Sequence, residues 1–244
     1  MMRDLWTVTH KEGLEILDQF LRFRRGGWSI LLVMAFLGIF VPLQLGPGWV
    51  NLPAMFFYWP FLTASMTSTI VSDAVAGERE RHTLETLLAT RLSDGAILLG
   101  KVLAAVLYGY AFALSNLAIG LATVHVKWGA QAEAMTLSRF VALLALVGSS
   151  AACLSGLGVL VSLRAATVRQ AQQLFGVVLL LLTMIPLGLM QVLGGEAQER
   201  AIQVANRLGV EGIAWWGSAG FAGLAVLLLA FAVARFKRGE VELG

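Results

Sequence analysis

Ala76–Lys101 reads AGERERHTLETLLATRLSDGAILLGK and stands between two long apolar runs. Charge, a helical apolar stripe and nearness to hydrophobic segments coincide here and nowhere else away from the termini. The sign alternates through Glu78, Arg79, Glu80 and Arg81. Leu84, Leu87, Leu88 and Leu92 then recur at helical spacing, with Glu85 and Arg91 away from that stripe. Ser93 or Asp94 is placed to cap a helix that climbs into the next apolar run, with Lys101 at its edge. Around the stretch lie six charge-free segments. A multispanning protein with no charged residue in its spans takes its driving force from outside, and this stretch is where such a force would arrive.

The six segments are Trp28–Leu43, Ala54–Ser72, Val102–Val124, Phe140–Leu163, Leu174–Leu193 and Ile213–Ala234. A helix crosses a bilayer with about 20 mostly apolar residues, so each is of near-spanning length. Only 14% of the 244 residues are charged, against about 25% in soluble domains. Runs such as Val177–Leu182 do not alternate, as a transmembrane strand would. The fold class is therefore an all-α polytopic membrane protein with six transmembrane helices. The nine charges among the first 27 residues make that segment too polar for a cleavable signal peptide.

The distribution of Lys and Arg sets the orientation. With the N-terminus inside, five fall in the N-terminal arm, four in the loop 73–101, two after the fourth span (Arg164, Arg169) and three at the C-terminus. Lys127, Arg139, Arg200 and Arg207 alone face the other side. Basic residues accumulate on the cytoplasmic side, so both termini are expected to be cytoplasmic. The excess positive charge orients the chain, and no nucleic acid is implied.

Residues 1–27 are expected to form a cytoplasmic amphipathic interfacial helix, 28–234 the six-helix membrane domain with the cytoplasmic loop 73–101, and 235–244 a short tail. Asp4, Lys11, Glu15, Asp18, Arg22 and Arg25 recur on one side of the N-terminal helix; Leu5, Trp6, Leu14, Leu17, Phe20 and Leu21 cover the other. Such a helix suits the surface of membrane lipids, or packs on a protein surface. The sequence 194–212 carries enough helical pattern for a short surface helix. Pro60 and Pro186 fall inside spans.

Catalytic chemistry is hard to place. No GxxxxGK[ST] phosphate loop occurs, the single Cys153 lies within a span, and His10, His82 and His125 lie in three different segments. No catalytic, cofactor or metal residues are assigned. Gly217-Ser218-Ala219-Gly220 has no histidine or lysine base in any span. Gly148, Ala152 and Gly156 have the spacing that lets helices approach closely. The second span is rich in hydroxyls: Thr63, Ser65, Thr67, Ser68, Thr69 and Ser72. Either they bond back to their own helix carbonyls or, with Asn116, they line a wettable translocation path; Thr63, Thr67, Ser68 and Asn116 are the candidates for it. The absence of carboxylates and histidines from the spans argues against proton- or sodium-coupled carriers.

Gly77-Glu78-Arg79-Glu80-Arg81-His82-Thr83-Leu84-Glu85-Thr86-Leu87-Leu88, with Gly100-Lys101 downstream, resembles the signature of ABC-2 permeases, the membrane subunits of ATP-binding-cassette exporters. The resemblance extends to the N-terminal helix, six spans and basic C-terminal ending. Two positions depart: Arg91 stands where proline is frequent, and His82 where a small or basic residue is. The resemblance implies that the loop carries a coupling helix docking on a separate ABC-type ATPase, with Glu78, Arg79, Arg81, Thr83, Leu84, Glu85 and Leu88 as contacts. It implies two ATPase copies holding ATP and magnesium, a second permease copy forming a homodimer, and the bacterial inner membrane. Uncharged, hydroxyl-dotted spans suit export of a lipid-like or amphipathic substrate. The alternative is a non-transporting component driven by the same kind of ATPase, an assembly scaffold or a mechanotransmitter to an extracytoplasmic partner.

Overall fold

The structure is a computed structural model that describes residues 2–21, 27–52, 55–73, 75–83, 92–132, 135–192 and 194–236. Among these residues every regular element is helical. Helix α1 is Met2–Leu21. The first apolar segment is α2 (Gly27–Ala35), a π-helical turn at Phe36–Phe40, and α3 (Val41–Leu45). Pro42 accounts for the widened turn: it has no N–H to donate back to Gly38. The Thr123 hydroxyl reaches the Gly38 carbonyl at 3.5 Å, and the Tyr58 hydroxyl donates to Leu37 O at 2.9 Å. The chain continues as α4 (Met55–Asp73), α5 (Ala76–Glu80), α6 (Asp94–Trp128), α7 (Leu137–Arg164), α8 (Val168–Val192) and α9 (Gly194–Arg235).

Four helical stretches are long and apolar enough to cross a membrane: Gly95–Gln131, Leu137–Arg164, Val168–Ile185 and Ile202–Arg235, with a shorter apolar helix at Ile30–Leu45. Helix α4, of 19 residues, sits among α6, α7 and α8. The 35 residues of α6 measure about 50 Å, beyond the ~30 Å of bilayer hydrocarbon, so its polar ends project. Ser93 caps α6, accepting from Ala96 N at 3.3 Å, as its position suggests. Thr136 does the same for α7. The helix expected within 194–212 is the first part of α9, set off by Gly209 at φ 65°. That left-handed conformation suits glycine and few other residues.

Helices α4 and α7 form the centre, with α9 laid along α7 and α1 laid across α6. The small residues of α7 act between spans: Gly148 faces Tyr110, and a Cβ at Gly156 would lie 3.1 Å from Leu228 Cβ. Two large apolar clusters, with smaller ones beside them, fill the bundle. One joins Trp49, Trp59, Leu62, Phe112 and Leu143 at the end near the 49–51 turn. The other joins Val71, Ile97, Val102, Val159 and Phe236 at the end where α1 and α5 lie. At the first end Arg139 pairs with Glu211 at 3.1 Å. By contrast α8 buries little, and Leu180, Leu181, Met184 and Ile185 stay exposed.

Candidate coupling site

The loop after α4 is stitched to the last turn of α7 by one hydroxyl. Ser162 Oγ accepts from Val75 N at 3.2 Å and Ala76 N at 3.0 Å, and donates to Ser72 O at 3.0 Å. A hydroxyl has one donor and two acceptor sites, so this buried group is fully satisfied. Helix α5 begins there and ends in a Schellman motif: His82 N donates to Arg79 O at 3.1 Å and Thr83 N to Glu78 O at 2.9 Å. His82, at φ 57°, takes the left-handed position usually given to glycine. Helix α5 therefore ends with the charged run, before the leucines at 84, 87 and 88, which lie outside the described residues.

Each member of the alternating run Glu78–Arg81 has its own destination. Glu78 accepts from Lys101 Nζ of α6 at 3.0 Å, and from the Thr83 hydroxyl. Lys101 also pairs with Glu12 of α1 at 2.9 Å. The three side chains are 6–14% exposed, a buried clasp joining α1, α5 and α6. Arg79 donates to Ala165 O at 2.7 Å and Leu163 O at 3.4 Å, placing positive charge on the carbonyl end of α7. Glu80 accepts from Val168 N at 3.0 Å, placing negative charge on the amide end of α8. Arg81 forks onto both oxygens of Asp73 at 3.1 and 3.0 Å. That bridge crosses directly over Gly77, where a Cβ would strike the Asp73 carboxylate.

The Gly100-Lys101 pair has a matching explanation. A Cβ at Gly100 would come within 2.7 Å of Val8, so glycine lets α1 cross α6 at that point. Thr9 Oγ1 donates to Gly100 O at 3.3 Å, and one residue on Lys101 clasps Glu12. Burial raises the Glu78 carboxyl pKa, but the Lys101 charge, the hydrogen bonds from Thr83 and Lys101, and the Arg81 charge together hold it below the usual carboxylate range.

Of the seven expected coupling residues, Glu78, Arg79, Arg81 and Thr83 are thus engaged within the chain. Leu84, Glu85 and Leu88 lie outside the described residues, as does Arg91. Sequence reasoning missed Glu12, Asp73, Glu80 and Ser162. One signal existed for Glu12: it is absent from the polar face running through Lys11 and Glu15, and shares the inward face with Val8. Among the candidate path residues, Thr63 and Thr67 are buried and donate to Trp59 O at 2.7 Å and Thr63 O at 2.9 Å. Ser68 donates to Ser65 O at 2.9 Å. Asn116 Nδ2 donates to Phe112 O at 3.0 Å, while its buried Oδ1 has no donor among the described residues. Thr63, Ser65, Thr67 and Ser68 thus bond back to their own helix, whereas the buried Ser72 Oγ has no partner among the described residues. Ser218 likewise donates to Ala214 O at 2.6 Å.

Apolar helices of spanning length, with polar networks confined to their ends, define a multi-pass membrane protein. The family model described as ABC-2 family transporter protein matches residues 15–241, and the chain belongs to that family. Its members are ABC-transporter permeases that generally work with an ABC ATPase. The matched region begins three residues after Glu12. No curated protein matches the chain.

Proposed function

We propose that this chain is the export permease of an ATP-driven transporter, moving a lipid-like or amphipathic substrate with energy from a separate ATPase. The observation that carries this reading is the anchorage of α5: four consecutive charges join the root of the 73–101 loop to α1, α4, α6, α7 and α8. A displacement of the loop would therefore reach five helices together. In this reading Leu84 and Leu88 are the apolar anchors on the ATPase and Glu85 steers docking. Glu78, Arg79 and Arg81 transmit the movement through their internal bonds.

The working assembly has two permease copies and two ATPase copies, with ATP and magnesium held in the ATPases and no catalytic group in this chain. Six spans cross the bacterial inner membrane, and both termini and the α5 end face the cytoplasm, as the basic residues favour. The test is co-purification of the Leu84→Asp/Leu88→Asp variant with the ATPase subunit. Loss of the complex, with the permease still inserted and folded, is the expected result. An intact complex with undiminished ATPase stimulation would remove the 84–88 segment from the coupling role.

A further inference from the structure

A cleft of about 640 Å³ opens between α7, α8 and α9 at the α5 end of the bundle. Its composition is divided. Leu157, Leu160, Leu174, Val177 and Phe231 supply apolar walls, and Arg79, Arg164 and Arg235 supply three positive charges. Arg164 and Arg235 are exposed, and neither takes part in an ion pair among the described residues. Arg235 lies over the Phe231 ring at 5.2 Å, which holds its guanidinium beside the cleft. Arg79 uses two of its five N–H donors on α7 carbonyls. The apolar surface continues out of the cleft along α8, where Leu181 and Ile185 follow Val177 at helical spacing and are 47% and 54% exposed.

We propose that this cleft binds an anionic phospholipid of the leaflet at that end, its phosphate among the arginines and its acyl chains along α8. Basic pockets between membrane helices recognise lipid headgroups in this way, and the volume lies within the range of small-molecule sites, about 300–1,000 Å³. A second copy seated there by two-fold symmetry would bring the same three arginines from each copy into one interface and add no carboxylate to the cleft. A soluble anion would leave the α8 walls without a partner. The site is independent of ATPase docking; the proposed orientation only assigns it to the cytoplasmic leaflet.

The test uses the full, delipidated chain in detergent without any ATPase, titrated with dioleoylphosphatidylglycerol or dioleoylphosphatidylcholine and read by native mass spectrometry. The phosphatidylglycerol is expected to bind preferentially. Arg164→Gln/Arg235→Gln should weaken it on the order of thirtyfold, about fivefold per basic side chain, while Arg164→Lys/Arg235→Lys retains it. Val177→Trp, which fills the cleft and keeps the arginines, should weaken it as well. Equal binding of the zwitterionic lipid, or unchanged binding in the glutamine variant, overturns the proposal. Full competition by glycerol 3-phosphate would assign the arginines to a soluble anion. Quantitative disulfide linkage between Val177→Cys chains in a Cys153→Ser background would assign the cleft to a second copy.

Discussion

Replacing Lys101 by Met tests the buried clasp directly. The methionine fills the space of the lysine stem but removes the one ammonium that faces both Glu12, at 2.9 Å, and Glu78, at 3.0 Å. Two carboxylates with side chains only 14% and 10% exposed would then lose the cation they share, leaving Glu78 only the weaker influence of Arg81. Removing one partner of a buried ion pair costs about 3–5 kcal/mol, whereas replacing the whole network by neutral groups of similar shape is near neutral. The single variant should therefore lose about that much stability, seen as a fall on the order of 10 °C in the melting midpoint of the detergent-solubilised protein. The triple variant Lys101→Met/Glu12→Met/Glu78→Met should recover most of the loss, because neither an unpaired charge nor an unpaired amide remains. A tryptophan-fluorescence melt reports both. A single variant within about 0.5 kcal/mol of the parent, or a triple variant no better than the single, would refute the clasp.

The Glu78 carboxyl lies below its ordinary range, so the stability it contributes is complete above the ordinary carboxylate pKa of 4.5 and is lost as pH falls through the lowered folded value. Melting midpoints should stay level from neutral pH down to that range and drop below it, with a shallower drop in Glu78→Gln. Ser162→Ala removes the acceptor for two backbone N–H groups; it should cost about 1–3 kcal/mol and speed protease cleavage in the 73–101 loop. Thr67→Val keeps shape and removes a hydroxyl that bonds only within its own helix. Transport and folding should be unchanged, and a selective fall in transport would restore Thr67 to a translocation path.

Much of the fold was legible because hydropathy is a local property. The spans read at Phe140–Leu163 and Leu174–Leu193 fall within, or one residue beyond, α7 (Leu137–Arg164) and α8 (Val168–Val192). Side-chain chemistry offered Ser93 or Asp94 as the cap, and Ser93 takes it. The π-turn before Pro42 was missed, since a missing N–H says that a helix is perturbed and not how the freed carbonyl is satisfied. The hydroxyls of α4 were ambiguous for a related reason: a threonine in a span bonds its own helix or faces a path according to what packs beside it.

The coupling site divides along the same line. A helical membrane protein with uncharged apolar segments, and the resemblance of Gly77–Leu88 to ABC-2 permeases, could be read before any fold was known. These depend on residue type and on spacing within one segment. Where Glu78, Arg79, Glu80 and Arg81 point depends on the packing of distant segments. Read along the chain, they are an alternating surface run; in the fold they meet Lys101, the end of α7, the start of α8 and Asp73. The bond from Arg79 to Ala165 crosses 86 positions. Spacing within one segment cannot show such a pairing, because the energy of a charge is set by what surrounds it once water is removed.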